Sequence, residues 1–284
     1  MLLTILGGAG VWPTARQACG GYLLEHDGYS ILIDPGYGVL PRLLAVRGVG
    51  SVDAVLASHG HLDHCADLNP LLRARAMGTA AYDPLPVFAP TDALKRIFAA
   101  ERVKAVARAA DVANLVDGAS IELGPFRVEI AMLPHHLPNA GMRITAGGHV
   151  VAYTGDSGDC LDRIALARGA DVLVAEATFV DEIPPDEAAY LSSARQVAGL
   201  ALAAEARSTI LTHQWPDRSA ELFLAASRGE GLSSARVAFA GMSVNLAAAA
   251  TEPQSLVTAA QARRASQEAA QLRDIPVVPR RAAG

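Results

Sequence analysis

An apolar run, Val52–Ala57, leads directly into Ser58-His59-Gly60-His61-Leu62-Asp63-His64, and a helical pattern, Leu68–Ala76, follows. His59, His61, Asp63 and His64 thus place four metal-capable side chains within six residues. If extended geometry persists past Ala57, His59 and His61 fall on one side, because residues two apart in a strand share a face. The chain then turns, and Asp63 and His64 sit near the start of the following helix. Four such donors are more than one tetrahedral ion with an open position takes, but two neighbouring ions can share them. Histidines bunched at a strand end beside an aspartate are costly to bury unless they bind something. This segment therefore demands a fold that presents a strand end to a buried polar site.

Other apolar runs end in further donors. His135 follows Phe126–Leu133, Asp156 follows Val150–Thr154, and His213 follows Thr209–Thr212. Leu2–Leu6, Gly21–Glu25, Ser30–Ile33, Met142–Thr145 and Val172–Ala175 also read as strands between Gly, Pro and Asp punctuation. Phe126-Arg127-Val128-Glu129-Ile130 alternates cleanly and should bury one face. Helical patterns cover Ala93–Ala107, Ser192–Ala206 and Ala220–Ser227; in the second, Val197, Leu200, Ala201 and Ala204 recur at helical spacing and should face a sheet. Strands and helices mixed along the chain predict one layered α/β domain, with the donors gathered on one edge. His26 and His149 lack donor neighbours and read as surface or packing histidines.

The chain has 284 residues, 51% of them hydrophobic, which is ample for a large core and excludes a wholly disordered protein. A net charge of −5 argues against nucleic-acid binding through bulk electrostatics. Cys19, Cys65 and Cys160 are too few and too scattered for a disulfide framework, which points to a reducing compartment. Cys65 and Cys160 read as small buried thiols rather than ligands. Met1–Leu6 has no basic flank, and Val237–Ala250 is broken by Gly241, Ser243 and Asn245, short of a membrane span. The expectation is a soluble, cytoplasmic protein without membrane contact. Residues 1–250 are expected to form the domain; residues 251–284 lose strand signals and turn net basic, reading as an accessory tail with a short helix over Val257–Arg273 and a frayed end.

These motifs resemble the metallo-β-lactamase superfamily, and within it the branch of tRNase Z-like proteins and related phosphodiesterases. The resemblance spans roughly Met1 to Leu246. It rests on His59-Gly-His61-Leu-Asp63-His64, on His135-His-Leu-Pro138-Asn-Ala-Gly141-Met-Arg143, on Tyr153-Thr-Gly-Asp156, on Glu176-Ala-Thr-Phe179 and on Leu211-Thr-His213. It implies a four-layer αββα sandwich of two mixed β-sheets with metals at one edge. Carried over by motif, one ion takes His59, His61 and His135, the other Asp63, His64 and His213, and Asp156 bridges them. His135 is preferred to His136 by its spacing to Pro138 and Arg143. Asp34, in Leu32-Ile33-Asp34-Pro35-Gly36, matches a position that buttresses the site from behind.

The resemblance implies a hydrolase with two divalent ions, Zn²⁺ first, with iron or manganese also suited to a mixed His/carboxylate donor set. A water bridging two such ions ionises near pH ~7 and becomes the nucleophile. Asp63 would orient it or take its proton. In the tRNA-processing members a glutamate and a histidine assist the leaving group; Glu176 matches the first, while Tyr190 stands where the histidine is expected. A phenol, with a pKa near ~10, is the weaker acid at neutral pH. Only 21 positions separate His135 from Asp156, too few for strand, turn, strand and the tRNA-gripping arm of those enzymes. The expected substrate is therefore a small phosphodiester or related ester, with no nucleic acid. A lactone, thioester or sulfate ester is the alternative, since pocket loops vary freely on this fold. A non-catalytic scaffold is disfavoured because all seven donors are present. Asp83-Pro84-Leu85-Pro86 and the loop after Gly158 are expected to line the pocket. Dimers are common in related families, so a homodimer is compatible with the resemblance.

Overall fold

A computed structural model describes residues 1–249, and the expected helix over Val257–Arg273, like all of 251–284, lies outside the described residues. Fifteen strands occur among the described residues. They are β1 (Leu2–Ala9), β2 (Ala18–Cys19), β3 (Gly21–His26), β4 (Tyr29–Ile33), β5 (Ala54–Leu56), β6 (Leu85–Pro90), β7 (Ala110–Leu115), β8 (Ser120–Leu123), β9 (Phe126–Leu133), β10 (Asn139–Ala146), β11 (His149–Tyr153), β12 (Val172–Glu176), β13 (Thr209–Thr212), β14 (Arg236–Val237) and β15 (Ser243–Asn245). One mixed sheet runs β15-β1-β3-β4-β5-β6-β7 with β2 beside β1, and the other runs β14-β13-β12-β11-β10-β9-β8.

The sheets stack through a shared apolar layer. Ile5, Leu24, Ile31 and Leu56 of the first meet Phe126, Val128, Ile130, Met142, Tyr153 and Val174 of the second. The alternation expected in β9 holds: Phe126, Val128 and Ile130 are buried, and Arg127 is exposed. Each outer face carries helices. Leu68, Leu71 and Leu72 cover Leu23, Leu32 and Val55, while Ala194, Val197, Ala198 and Ala201 cover Leu173, Ala175 and Leu211. The layers are therefore helix, sheet, sheet, helix, the expected αββα sandwich.

The elements expected from the sequence differ from the structure in three informative places. The helix expected over Ala93–Ala107 is two short helices, Lys95–Ala100 and Lys104–Ala107, parted by extended backbone at Glu101 and Val103. The helix expected from Ser192 begins at Ala194, because the Ser193 side chain accepts the Gln196 N–H and Gln196 returns the bond, a capping box. Strand β6 was hidden by Pro86 and Pro90, residues that argue against a central strand. It pairs on both sides, Val87 with Val55 and with Val112.

That pairing also corrects the placement of Asp83-Pro84-Leu85-Pro86. β5 and β6 are parallel, so the residues before β6 lie at the opposite end of the sheet from His59, which follows β5. Asp83 and Pro84 instead line an open cleft of about 400 Å³ with Arg75, Tyr82 and Arg108.

Strand direction decides where the polar residues go. β4, β5 and β6 are mutually parallel, and β1 shares their direction because β1-β3 and β3-β4 are both antiparallel. In the second sheet β11, β12 and β13 are parallel, and β9 joins them through antiparallel β10. The residues just past β1, β4, β5, β9, β11, β12 and β13 thus emerge on one edge. No helix among the described residues is long and apolar enough to cross a membrane.

Phe126 is fully buried between the sheets, with Tyr29 and His26 edge-on to its ring at 6.2 and 6.1 Å. Phe126→Ala is expected to destabilise the protein by about 3–5 kcal/mol, read as a lowered urea midpoint at unchanged slope. A loss below about 1 kcal/mol would mean that this layer does not hold the sheets together.

Candidate metal centre

Seven side chains converge at the shared edge. His59, His61, His135 and Asp156 form one group of potential metal donors, and Asp63, His64 and His213 a second, with donor atoms in each group within 4.8 Å of one another. Asp156 Oδ2 stands at the middle: His213 Nε2 is 3.2 Å away, His64 Nε2 3.4 Å, His59 Nε2 3.9 Å and His135 Nε2 4.0 Å. Asp63 Oδ2 lies 3.2 Å from His213 Nε2 and 3.7 Å from His64 Nε2. His61 turns its Nδ1 inward, 2.9 Å from His59 Nε2 and 3.1 Å from His135 Nε2.

What lies behind each ring fixes which nitrogen is free. The Tyr190 carbonyl oxygen can only accept, so His135 carries its proton on Nδ1 and donates it at 3.0 Å, leaving the Nε2 lone pair facing inward. His64 Nδ1 donates in the same way to Asp34 Oδ2 at 2.8 Å. His59 Nδ1 faces the Ser58 hydroxyl at 3.0 Å, and that hydroxyl donates to Asp34 Oδ2 at 2.6 Å. His213 Nδ1 lies 2.8 Å from Thr178 Oγ1. This outer ring of partners is the arrangement that orients histidines as metal ligands.

Asp34, which follows β4, is the hub of that ring. Besides Ser58 and His64 it receives the Tyr153 hydroxyl on Oδ2 at 2.6 Å and the Ser58 N–H on Oδ1 at 2.6 Å. Its carboxylate is fully buried. Asp34 itself has φ 49° and His213 has φ 63°, left-handed values that are uncommon for residues with a Cβ and cluster at functional sites. Close approach also needs glycine at two points: a Cβ on Gly10 would lie 2.5 Å from the His213 carbonyl oxygen, and one on Gly36 only 1.8 Å from that of Asp63.

The electrostatics divide the cluster. Burial pulls His59, His61 and His135 below the ordinary imidazole range, which keeps them neutral. Burial also pulls on His64 and His213, but the facing carboxylates outweigh it, Asp156 first and then Asp63, and raise both. Burial pushes Asp63 and Asp156 up, yet His64 and His213 hold both carboxyls below their ordinary value. His64 Nε2 and Asp156 Oδ1 are buried with no hydrogen-bond partner among the described residues. Such groups are costly to bury, and a cation would pair the open Asp156 oxygen and, in exchange for the proton that the carboxylates hold on His64, take the His64 Nε2 lone pair.

The remaining candidates lie around this cluster. Glu176 is fully buried, its carboxylate accepting the N–H groups of Thr178 at 2.8 Å and Ser192 at 2.9 Å. Burial, reinforced by Asp156, pushes it up to about 6. Tyr190 stacks its ring on His136 at 4.3 Å, and its carbonyl is what orients His135. That backbone role left no signal in the sequence. His136 points away from the cluster to Glu187, 2.8 Å away. Gly158 packs against Ala189 and Tyr190, beside His135. The cysteines are free; Cys65 is buried, but Cys160 is partly exposed, contrary to expectation, because it ends the loop before the helix Leu161–Ala167. His26 and His149 lie near Asp27 and Asp171, away from the cluster. The interval from His135 to Asp156 is filled by the β10–β11 hairpin.

Two sheets closed by helices, with a histidine and aspartate cluster able to hold metal on one edge, define the class as an αββα sandwich with an edge donor site. A family profile described as the beta-lactamase superfamily domain matches residues 29–214. The chain is 31% identical over 219 residues to the probable metallo-hydrolase YhfI of Bacillus subtilis, covering 75% of this chain and 86% of that one. The YhfI crystal structure superposes with a TM-score of 0.77 at 26% identity, over 86% and 98% of the two chains. A ribonuclease Z of Mycolicibacterium gilvum is 31% identical over 240 residues, 75% of this chain and 86% of that one. A diphosphatase of the PhnP family shares the fold, with a TM-score of 0.67 at 22% identity over 86% and 97% of the chains. The chain belongs to the beta-lactamase superfamily, among its metallo-hydrolases.

Replacing Asp34 by Ala strips the acceptor from four buried donors at once. Asp34→Ala is expected to lower the stability of the metal-free protein by about 3–5 kcal/mol in urea denaturation. A change within about 0.5 kcal/mol would remove Asp34 from its place as hub.

Proposed function

We propose that the protein is a metal-dependent hydrolase with a two-ion site, acting on a small phosphodiester or related ester. The observation that carries this reading is the meeting of six donors around Asp156 Oδ2 with His64 Nε2 and Asp156 Oδ1 left unpartnered. His59, His61 and His135 would hold one ion, Asp63, His64 and His213 the other, and Asp156 would face both. Zn²⁺ suits this donor set, as do iron and manganese. Bound there, two such ions would supply hydroxide at neutral pH and polarise the ester.

The chain's own groups then divide the remaining work. Asp63, held ionised and fixed by the Val11 N–H at 2.9 Å, can orient the attacking oxygen and accept its proton. Glu176, pushed up to about 6, can hold a proton near neutral pH behind His213. The Tyr190 ring lies on His136, next to His135 in the chain, and its phenol is the group that would serve the leaving oxygen.

The ribonuclease Z relative favours a second reading, a nucleic-acid substrate. Against it stand the acidic balance of −5 and a His135–Asp156 interval occupied by a tight hairpin. Lactones, thioesters and sulfate esters are the alternatives that keep the same site and change only the loops. The compartment proposed is the cytoplasm, in keeping with three free cysteines.

Metal analysis after reconstitution is expected to give about two ions per chain; less than one overturns the two-ion site. Asp156→Ala should lower turnover more than about a hundredfold and reduce the bound metal. Among bis-p-nitrophenyl phosphate, cyclic nucleotides, lactones, aryl sulfates and a tRNA precursor, the phosphodiesters should be cleaved fastest. Clear lactonase activity without phosphodiester turnover would overturn that preference, and efficient tRNA cleavage would establish the second reading. If the Tyr190 phenol assists the leaving group, Tyr190→His should raise phosphodiester turnover. An unchanged or lower rate would leave Tyr190 only its carbonyl's hold on His135.

A further inference from the structure

The chain has only two tryptophans in 284 residues, and both lie in segments that also supply or contact members of the donor cluster. Trp12 and Trp215 have ring centroids 6.2 Å apart at 51°, and Phe179 lies 6.2 Å from Trp215 at 48°. Each ring comes from a segment tied to the Asp63 and His213 side. Trp12 follows Val11, whose N–H donates to Asp63 Oδ2 and whose φ is 64°. Trp215 is two residues past His213. Phe179 follows Thr178, the hydroxyl partner of His213 Nδ1.

Packing accounts for Phe179 and for the Trp215 ring, both partly buried, although the Trp215 Nε1–H is buried with no hydrogen-bond partner among the described residues. Packing does not account for Trp12, which is 41% exposed beside Val11 at 50%. An indole held at the rim by a strained backbone, yet left open on one side, forfeits burial that a core position would give. Open aromatic faces next to a polar, charged site are how proteins hold flat rings while leaving attached charged groups to the site's centre.

We infer that Trp12, Trp215 and Phe179 form a stacking wall that selects esters carrying a planar aromatic ring, a nucleobase or an aryl group, and sets that ring on the Asp63–His213 side of the cluster. Trp12 is the residue that contacts the ring; Trp215 and Phe179 support it from behind. The wall rests on the proposed hydrolytic site for its location, but its test reads binding and not turnover.

With both tryptophans in the wall, intrinsic tryptophan emission reports on it directly. In the metal-loaded protein, AMP and phenyl phosphate should quench that emission saturably and bind at least about tenfold more tightly than ribose 5-phosphate. Adenosine should quench where ribose does not, which reads the ring without a phosphate. Preference for AMP alone assigns a nucleobase, and preference for phenyl phosphate as well assigns any aryl ring. Trp12→Ala should bring the three phosphates within about twofold of one another while metal content stays at the wild-type level. Trp12→Leu, which keeps apolar bulk without a π-face, should do the same. Equal affinities in the wild type, no ring-dependent binding at all, or a preference that survives both substitutions would overturn the wall. Ring-dependent binding without phosphodiester turnover would instead count against the proposed reaction alone.

Discussion

The site hangs on one buried carboxylate. Asp34 lies at the end of β4 and takes hydrogen bonds from Ser58 and His64 of its own half and from Tyr153 of the opposite sheet. A fully buried carboxylate is expensive unless it is well hydrogen-bonded, and here three donors reach Oδ2 and one Oδ1. In return the bonds fix the turn after β5, the ring plane of His64 and the spacing of the sheets near the edge. The backbone bond from the Ala140 N–H to the Ser58 carbonyl oxygen, at 2.8 Å, closes the same seam. The cluster is thus supported from behind by a polar network and not by apolar packing alone.

Strand direction supplies the rest of the order. Because the donor-bearing strands run the same way in both sheets, residues remote in sequence emerge side by side without long loops. His213 and Asp34 reach their positions only through left-handed backbone. Local strain at those points is offset by the largely apolar layer between the sheets, whose two buried tyrosines, Tyr22 and Tyr153, both have hydrogen-bonded hydroxyls. The sandwich is therefore stabilised in its middle and strained at its rim, where the donors gather.

Much of this was legible in the sequence, and the reasons are physical. His59-Gly60-His61-Leu62-Asp63-His64 reads as a ligand segment because so many donors in so few residues have no inexpensive structural use. β9 was legible from its alternation, and the donors past β9, β11 and β13 from their place after apolar runs. β6 and β7 were not: Pro86 and Pro90 disguise the first, and the second is an edge strand with most of its residues exposed. The donor of the bond that steadies Asp63 and the acceptor that steadies His135 are backbone groups, of Val11 and Tyr190. Backbone atoms carry no residue identity, so only the folded chain displays them. The Trp12–Trp215 pair was equally hidden, since two single tryptophans 203 positions apart have no periodicity to reveal their contact.

The division of donors between the two halves has a thermodynamic consequence. His59, His61, Asp63 and His64 belong to the first sheet's turn, while His135, Asp156 and His213 come from loops of the second. Neither half holds either proposed donor set alone, so an ion bound there would be fully coordinated only with the sheets docked. The concentration of free ion would then enter the folding equilibrium itself, as it does for any ligand that binds the native state alone. A cell that withholds the ion would both silence such a protein and loosen the seam between its halves, making metal supply a control on its lifetime.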